Sequence, residues 1–163
     1  GRMLVTTYPQ FTLLNVYFPN GKQNEERLQY KMDFYHHFLD FVDILKTKQE
    51  KLIVCGDFNT AHKEIDLAHP RENEHTSGFL PMEREWMDTL VAHGFSDTFR
   101  LFDKSPGHYT WWDLRTRARE RNIGWRLDYI FATDKLIPSI ATASIRSEVK
   151  GSDHCPVGIK ITI

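Results

Sequence analysis

The chain of 163 residues has little of several things, and each shortage excludes something. It holds only two cysteines, Cys55 in an apolar run and Cys155 in a polar knot. No disulfide framework can be built from these, and a reducing, intracellular (cytoplasmic) setting is expected. Thiolate and histidine spacing of the structural-zinc kind is missing. No apolar run is long enough to span a membrane and no secretory signal opens the chain, so membrane partners are not expected. The formal net charge is −1, which leaves no general excess of basic charge. Any nucleic-acid surface must therefore be a local patch. Repeats, linkers and low-complexity segments are absent too. What is there is 40% hydrophobic and 13% aromatic, enough to bury a core in one domain over residues 1–163.

The pattern centres on residues 51–59, KLIVCGDFN. Leu52, Ile53, Val54 and Cys55 are apolar at consecutive positions, which predicts a strand buried on both faces. Gly56 breaks the run, so Asp57 and Asn59 fall where the strand leaves the sheet, the usual place for a ligand crevice in α/β sheets. Upstream, residues 3–6 and 11–18 predict a hairpin joined at Tyr8-Pro9-Gln10. From Asn24, a stripe of Leu28, Met32, Tyr35, Phe38, Leu39, Val42 and Leu45 predicts a long amphipathic helix. Strand, helix and strand then make a crossover unit and an α/β fold. Residues 61–77 read as a long polar surface loop. Residues 82–93 predict a second helix, with Met82, Trp86, Met87, Leu90 and Val91 inward. Further strands are expected at 126–133, 141–147 and 157–163.

A second polar knot, Gly151-Ser152-Asp153-His154-Cys155-Pro156, abuts the last of these strands. Asp57, Asn59, Asp153 and His154 are thus oxygen and nitrogen donors at two strand ends, suited to a hard divalent cation such as Mg²⁺, with Mn²⁺ as the alternative. Tyr17 ends another strand and is followed by Pro19-Asn20. Asp128, an acid between Leu127 and Tyr129, needs a partner, and His154 is the natural one. Such a pair would fix the imidazole and favour its charged form. Trp111, Trp112 and Trp125 bracket Arg115, Arg117, Arg119 and Arg121. This stretch reads either as a solvated face or as phosphate and base contacts to nucleic acid.

Residues 15–20 (NVYFPN), 52–59 with Ala61-His62 and Glu64-Ile65-Asp66, 124–129 (GWRLDY) and 151–156 (GSDHCP) resemble the exonuclease III family. These are the apurinic/apyrimidinic endonucleases of the endonuclease/exonuclease/phosphatase superfamily. The resemblance implies a four-layer α/β sandwich of the deoxyribonuclease-like type, with mixed sheets flanked by helices. It implies a Mg²⁺-dependent DNA-repair phosphodiesterase that acts on double-stranded DNA at abasic sites, with 3′-5′ exonuclease activity beside it. Tyr17 then resembles the active-site tyrosine beside the scissile phosphate, and Asn20 lies near that phosphate. Asp57 resembles the acid that activates water, Asn59 the amide that positions it, and Asp153 a metal-site acid. His154 resembles the histidine on the phosphate and Asp128 its carboxylate partner. Trp111 and Trp125 fall where aromatics wall the pocket for a base-free sugar.

Family members carry an N-terminal half before the hairpin, including an asparagine and a metal-binding glutamate that have no counterpart in these residues. Weak metal binding, little cleavage by the isolated chain, and an open apolar sheet face are therefore expected. Self-association, or supply of the other half in trans, would cover that face. The rival readings are a superfamily phosphatase or lipid phosphodiesterase, and a non-catalytic DNA-binding or assembly module.

Overall fold

The computed structural model describes residues 1–162. Its centre is a mixed five-stranded sheet in the order β1-β2-β3-β5-β4, with β1 Met3–Thr7, β2 Thr12–Val16, β3 Leu52–Asp57, β4 Phe95–Asp97 and β5 Asp128–Thr133. β1 and β2 form the expected antiparallel hairpin, β3 runs parallel to β2, and β5 pairs antiparallel with β3. Helix α1, Glu25–Lys46, makes the parallel crossover. Its start is set by Asn24, whose side chain accepts the Arg27 amide, and by Glu25 and Glu26 at the positive end of the helix dipole. Helix α2 is Pro81–Ala92, and a short helix α3, Thr98–Phe102, follows β4.

One sheet face packs on α1 and α2 through Leu14, Val16, Leu52, Val54, Tyr129 and Phe131. The core there is aromatic. Phe18 is fully buried, stacked on Phe58 at 4.4 Å and edge-on to Tyr35 and Phe38. Full burial of such a side chain stabilises by about 1.5–3 kcal/mol, which anchors the segment between Tyr17 and Asn20. The opposite face is not bare, contrary to the sequence expectation. Leu13, Ile53, Ile130 and Ala132 join a cluster with Leu136, Ile140, Ile159 and Ile161. The last three come from a two-stranded antiparallel sheet of β6 Ile140–Ile145 and β7 Val157–Ile161. Exposed apolar surface remains on the edge strand β1, at Met3, Leu4 and Val5.

Several expected boundaries shift. The strand expected from residue 126 begins at Asp128, because the Leu127 and Asp128 amides turn to the Thr110 hydroxyl instead of a ladder. The strand expected at 141–147 ends at Ile145, that at 157–163 ends at Ile161, and Ile163 lies outside the described residues. Met82 and Val91 face outward, since α2 buries a narrow stripe of Glu83, Trp86, Met87 and Leu90. The segment 61–77 is only partly a surface loop. His62, Asp66 and Leu67 are buried, and Asp66 binds Arg100 and Arg126.

Candidate active site

Gly56 begins the site. It sits in β3 with φ +136°, so close to Val16 that an added Cβ would collide with the Val16 carbonyl oxygen. The tight approach lets the Phe18 amide donate to the Asp57 carbonyl at 2.9 Å, bringing the ends of β2 and β3 together. Asn59 then turns back with φ +52°, a conformation asparagine tolerates better than most residues. Its amide N–H donates to Asp57 Oδ1 at 2.8 Å, and its Nδ2 donates to Asp57 Oδ2 at 3.0 Å and to the Phe18 carbonyl at 2.9 Å. Asn20 Nδ2 reaches Asn59 Oδ1 at 3.4 Å. One carboxylate is thereby held by two donors of one residue.

Asp128 lies opposite Asp57 in the β3–β5 register, and its Oδ2 is 2.8 Å from His154 Nδ1. His154 is brought there by a bridge between its backbone and Trp111. Burial pushes the Asp57 carboxyl up to about 6, with the negative charge of Asp128 adding to it. Hydrogen bonding by Asp128 raises the His154 imidazole above its ordinary value despite partial burial, and the charges of Asp128, Asp57 and Asp153 act the same way. Burial opposes ionisation of Asp153, yet the donors around it hold its carboxyl below the usual range. The Trp111 indole N–H, at 3.0 Å from Asp153 Oδ2, is the chief of them.

Trp111 and Trp125 pair through reciprocal 2.9 Å backbone bonds. The Lys22 ammonium lies over both rings, 5.0 and 5.4 Å from their centroids. Burial lowers its pKa against the attraction of Glu83, Asp113 and Asp57. Nothing in the sequence distinguished Lys22 from any other loop lysine.

The geometry gives three of the expected assignments a specific setting. Asp57, Asn59, Asp153 and His154 do not close a metal cage by themselves. Among the described residues no group of three or more His, Cys, Asp or Glu side chains is placed to hold an ion. His154 Nδ1 is committed to Asp128, and Asn59 Nδ2 to Asp57 and Phe18. A hard cation fits the Asp57 and Asp153 oxygens only with ligands from outside this set. Second, Tyr17 is exposed and is tied to Arg2, whose guanidinium lies 4.8 Å from the tyrosine ring centroid. Third, Arg119 is not free for phosphate. Its guanidinium donates to the carbonyls of Ser147, Val149 and Ser152, and stacks 4.4 Å from the Trp112 ring centroid. It latches the loop that carries Asp153 and His154. Arg115 and Arg117 remain exposed.

A model of the endonuclease/exonuclease/phosphatase family matches residues 3–154. An exodeoxyribonuclease of Bacillus subtilis is 41% identical over 165 residues, covering 100% of this chain and 65% of the relative. The DNA repair nuclease APEX1 of Danio rerio is 37% identical over 164 residues, covering 100% of this chain and 53% of the relative. The chain thus spans less than two thirds of either relative. In structure it is similar to a 3′ phosphatase from Neisseria bound to a product DNA hairpin. That match has a TM-score of 0.94 at 26% identity over 99% of this chain and 65% of that one. Sequence match, fold and the paired knots at the ends of β3 and before β7 agree, and the chain belongs to the endonuclease/exonuclease/phosphatase family.

Proposed function

We propose that this chain carries much of the active site of a divalent-metal-dependent phosphodiesterase that hydrolyses the backbone of double-stranded DNA at abasic sites, with 3′-5′ exonuclease activity beside it. One observation carries the reading: Asp57, oriented by Asn59, lies across the β3–β5 pair from Asp128, which holds His154. Asp57, with its carboxyl near 6, takes the proton of the attacking water. His154, kept charged by Asp128, stabilises the negative charge that grows on the phosphoryl oxygens. Asn59 and Asn20 hold the phosphate and water in line. Tyr17 lies beside the phosphate, Trp111 and Trp125 flank the base-free sugar, and Arg115 and Arg117 meet phosphates along the duplex. Mg²⁺, with Mn²⁺ as the alternative, supplies charge neutralisation when bound, and Asp57 and Asp153 are this chain's oxygen donors toward it.

The exposed Met3, Leu4 and Val5 on β1 support self-association or cover by further chain as the working state. The test is nicking of a duplex with a single abasic site, with and without chelator. Metal-dependent nicking that Asp57→Asn and His154→Ala each abolish, with DNA binding retained, is the expected result. Nicking indifferent to both substitutions would overturn the reading. The rival reading is a DNA-binding module without catalysis. It predicts binding of the same duplex with no cleavage at any metal concentration.

A further inference from the structure

The residue behind the site that its chemistry leaves unexplained is Lys31. It lies on α1 with no exposure at all, and its ammonium touches Glu83 Oε1 at 2.5 Å, also fully buried. Two more hydrogen bonds leave the same nitrogen, 2.8 Å to the Asn59 carbonyl and 2.9 Å to Thr60 Oγ1. Glu83 is equally committed. Its carboxylate accepts from the Gly78 amide at 2.6 Å, the Leu80 amide at 3.0 Å and the Ser77 hydroxyl at 2.9 Å.

We infer that Lys31 is a positioning residue for the reaction proposed above, fixing through the Asn59 carbonyl the left-handed turn that aims Asn59 at Asp57. Several observations converge on this. A buried ion pair is weak as a stabiliser, because desolvation of both charges cancels much of their attraction, so stability alone is a poor reason for it. Its direction is specific, since the ammonium binds the carbonyl of the one residue whose side chain and amide both grip Asp57. That residue also has the positive φ that a neighbouring anchor must hold in place. Through Glu83 the anchor extends to the start of α2, so two helices brace one turn from behind.

The experiment separates bracing from stability by neutralising the pair as a unit. The complete natural polypeptide is compared as wild type, Lys31→Met, and the double variant Lys31→Met with Glu83→Gln. In the double variant no charge is left unpaired in the interior, and glutamine still accepts from Gly78 and Leu80. Expected is a melting temperature close to wild type, amide exchange at Asn59 faster by roughly tenfold or more, and exchange in the core strands unchanged. Cleavage should lose roughly 10–100-fold in kcat with KM within about twofold, as misplacement of a catalytic group does. A stably folded double variant with wild-type exchange at Asn59 overturns the inference, as does one with wild-type kcat. A wild type that cuts no DNA refutes the function reading instead, and the exchange data still decide the role of Lys31.

Discussion

Replacing Gly56 by alanine tests the geometry that sets the site. At φ +136° an L-residue is strained by about 1–3 kcal/mol. The new Cβ would also strike the Val16 carbonyl oxygen and stand 2.9 Å from its carbon and 3.1 Å from its nitrogen. Val16 is itself buried in the core, so its backbone cannot retreat into solvent, and such overpacking adds about 1–3 kcal/mol. A combined loss of about 2–6 kcal/mol is a large part of a typical net stability of about 5–15 kcal/mol. It corresponds to a fall in Tm of roughly 10 °C for a domain of this size. Gly151→Ala supplies the comparison, because Gly151 has φ +111° and a Cβ added there would meet nothing within 4 Å, leaving strain alone. Urea unfolding of both variants, read as a change in midpoint at constant slope, measures the difference. If Gly56→Ala costs no more than Gly151→Ala, the close approach of β2 and β3 does not constrain residue 56 and the reasoning fails.

Arg119→Ala should leave the salt dependence of DNA binding unchanged while loosening the loop at 147–152, whereas Arg115→Ala should flatten the slope by about 0.9 per lost phosphate contact; equal slopes in filter binding would erase the distinction. Asp128→Asn should lower the His154 pKa in an NMR titration. Because the folded pKa is raised, the pair's stabilisation is complete below the unfolded histidine value of about 6.5 and is lost as pH rises through the folded value, and the variant should lack that loss. For Asp57 the sign is opposite to a salt-bridged acid: its carboxyl is raised from 3.8 to about 6, so with chelator present stability should fall as pH rises across that window. The fall is at most about 3 kcal/mol, and Asp57→Asn should remove it.

The sequence made β3 legible because four consecutive apolar residues fit only a strand covered on both faces. It made Asp128 and His154 legible as a pair because an acid between Leu127 and Tyr129, inside an expected strand, demands a partner. Other features had no such signature. Lys31 looks like the polar flank of an amphipathic helix, and its burial depends on Glu83, far away in sequence. The three partners of Arg119 are backbone carbonyls, which every residue offers, so an arginine run reads the same whether it latches a loop or meets DNA. Strand β4 and helix α3 are too short for periodicity to register. Met82 and Val91 read as inward but face solvent, because a helix at the margin of a sheet buries less than its apolar composition suggests.

The position of β3 also governs how the chain must assemble. Its parallel partner β2 lies one helix upstream, so β2, α1 and β3 can associate early, while its antiparallel partner β5 is far downstream. Until β5 docks, Leu52, Ile53 and Val54 line an unpaired, apolar strand edge, the kind of template that recruits other chains. Pairing across so long a loop is slow. Conditions that delay β5 should therefore favour aggregation seeded at β3, and the approach of Asp128 to Asp57 would be among the last events of folding.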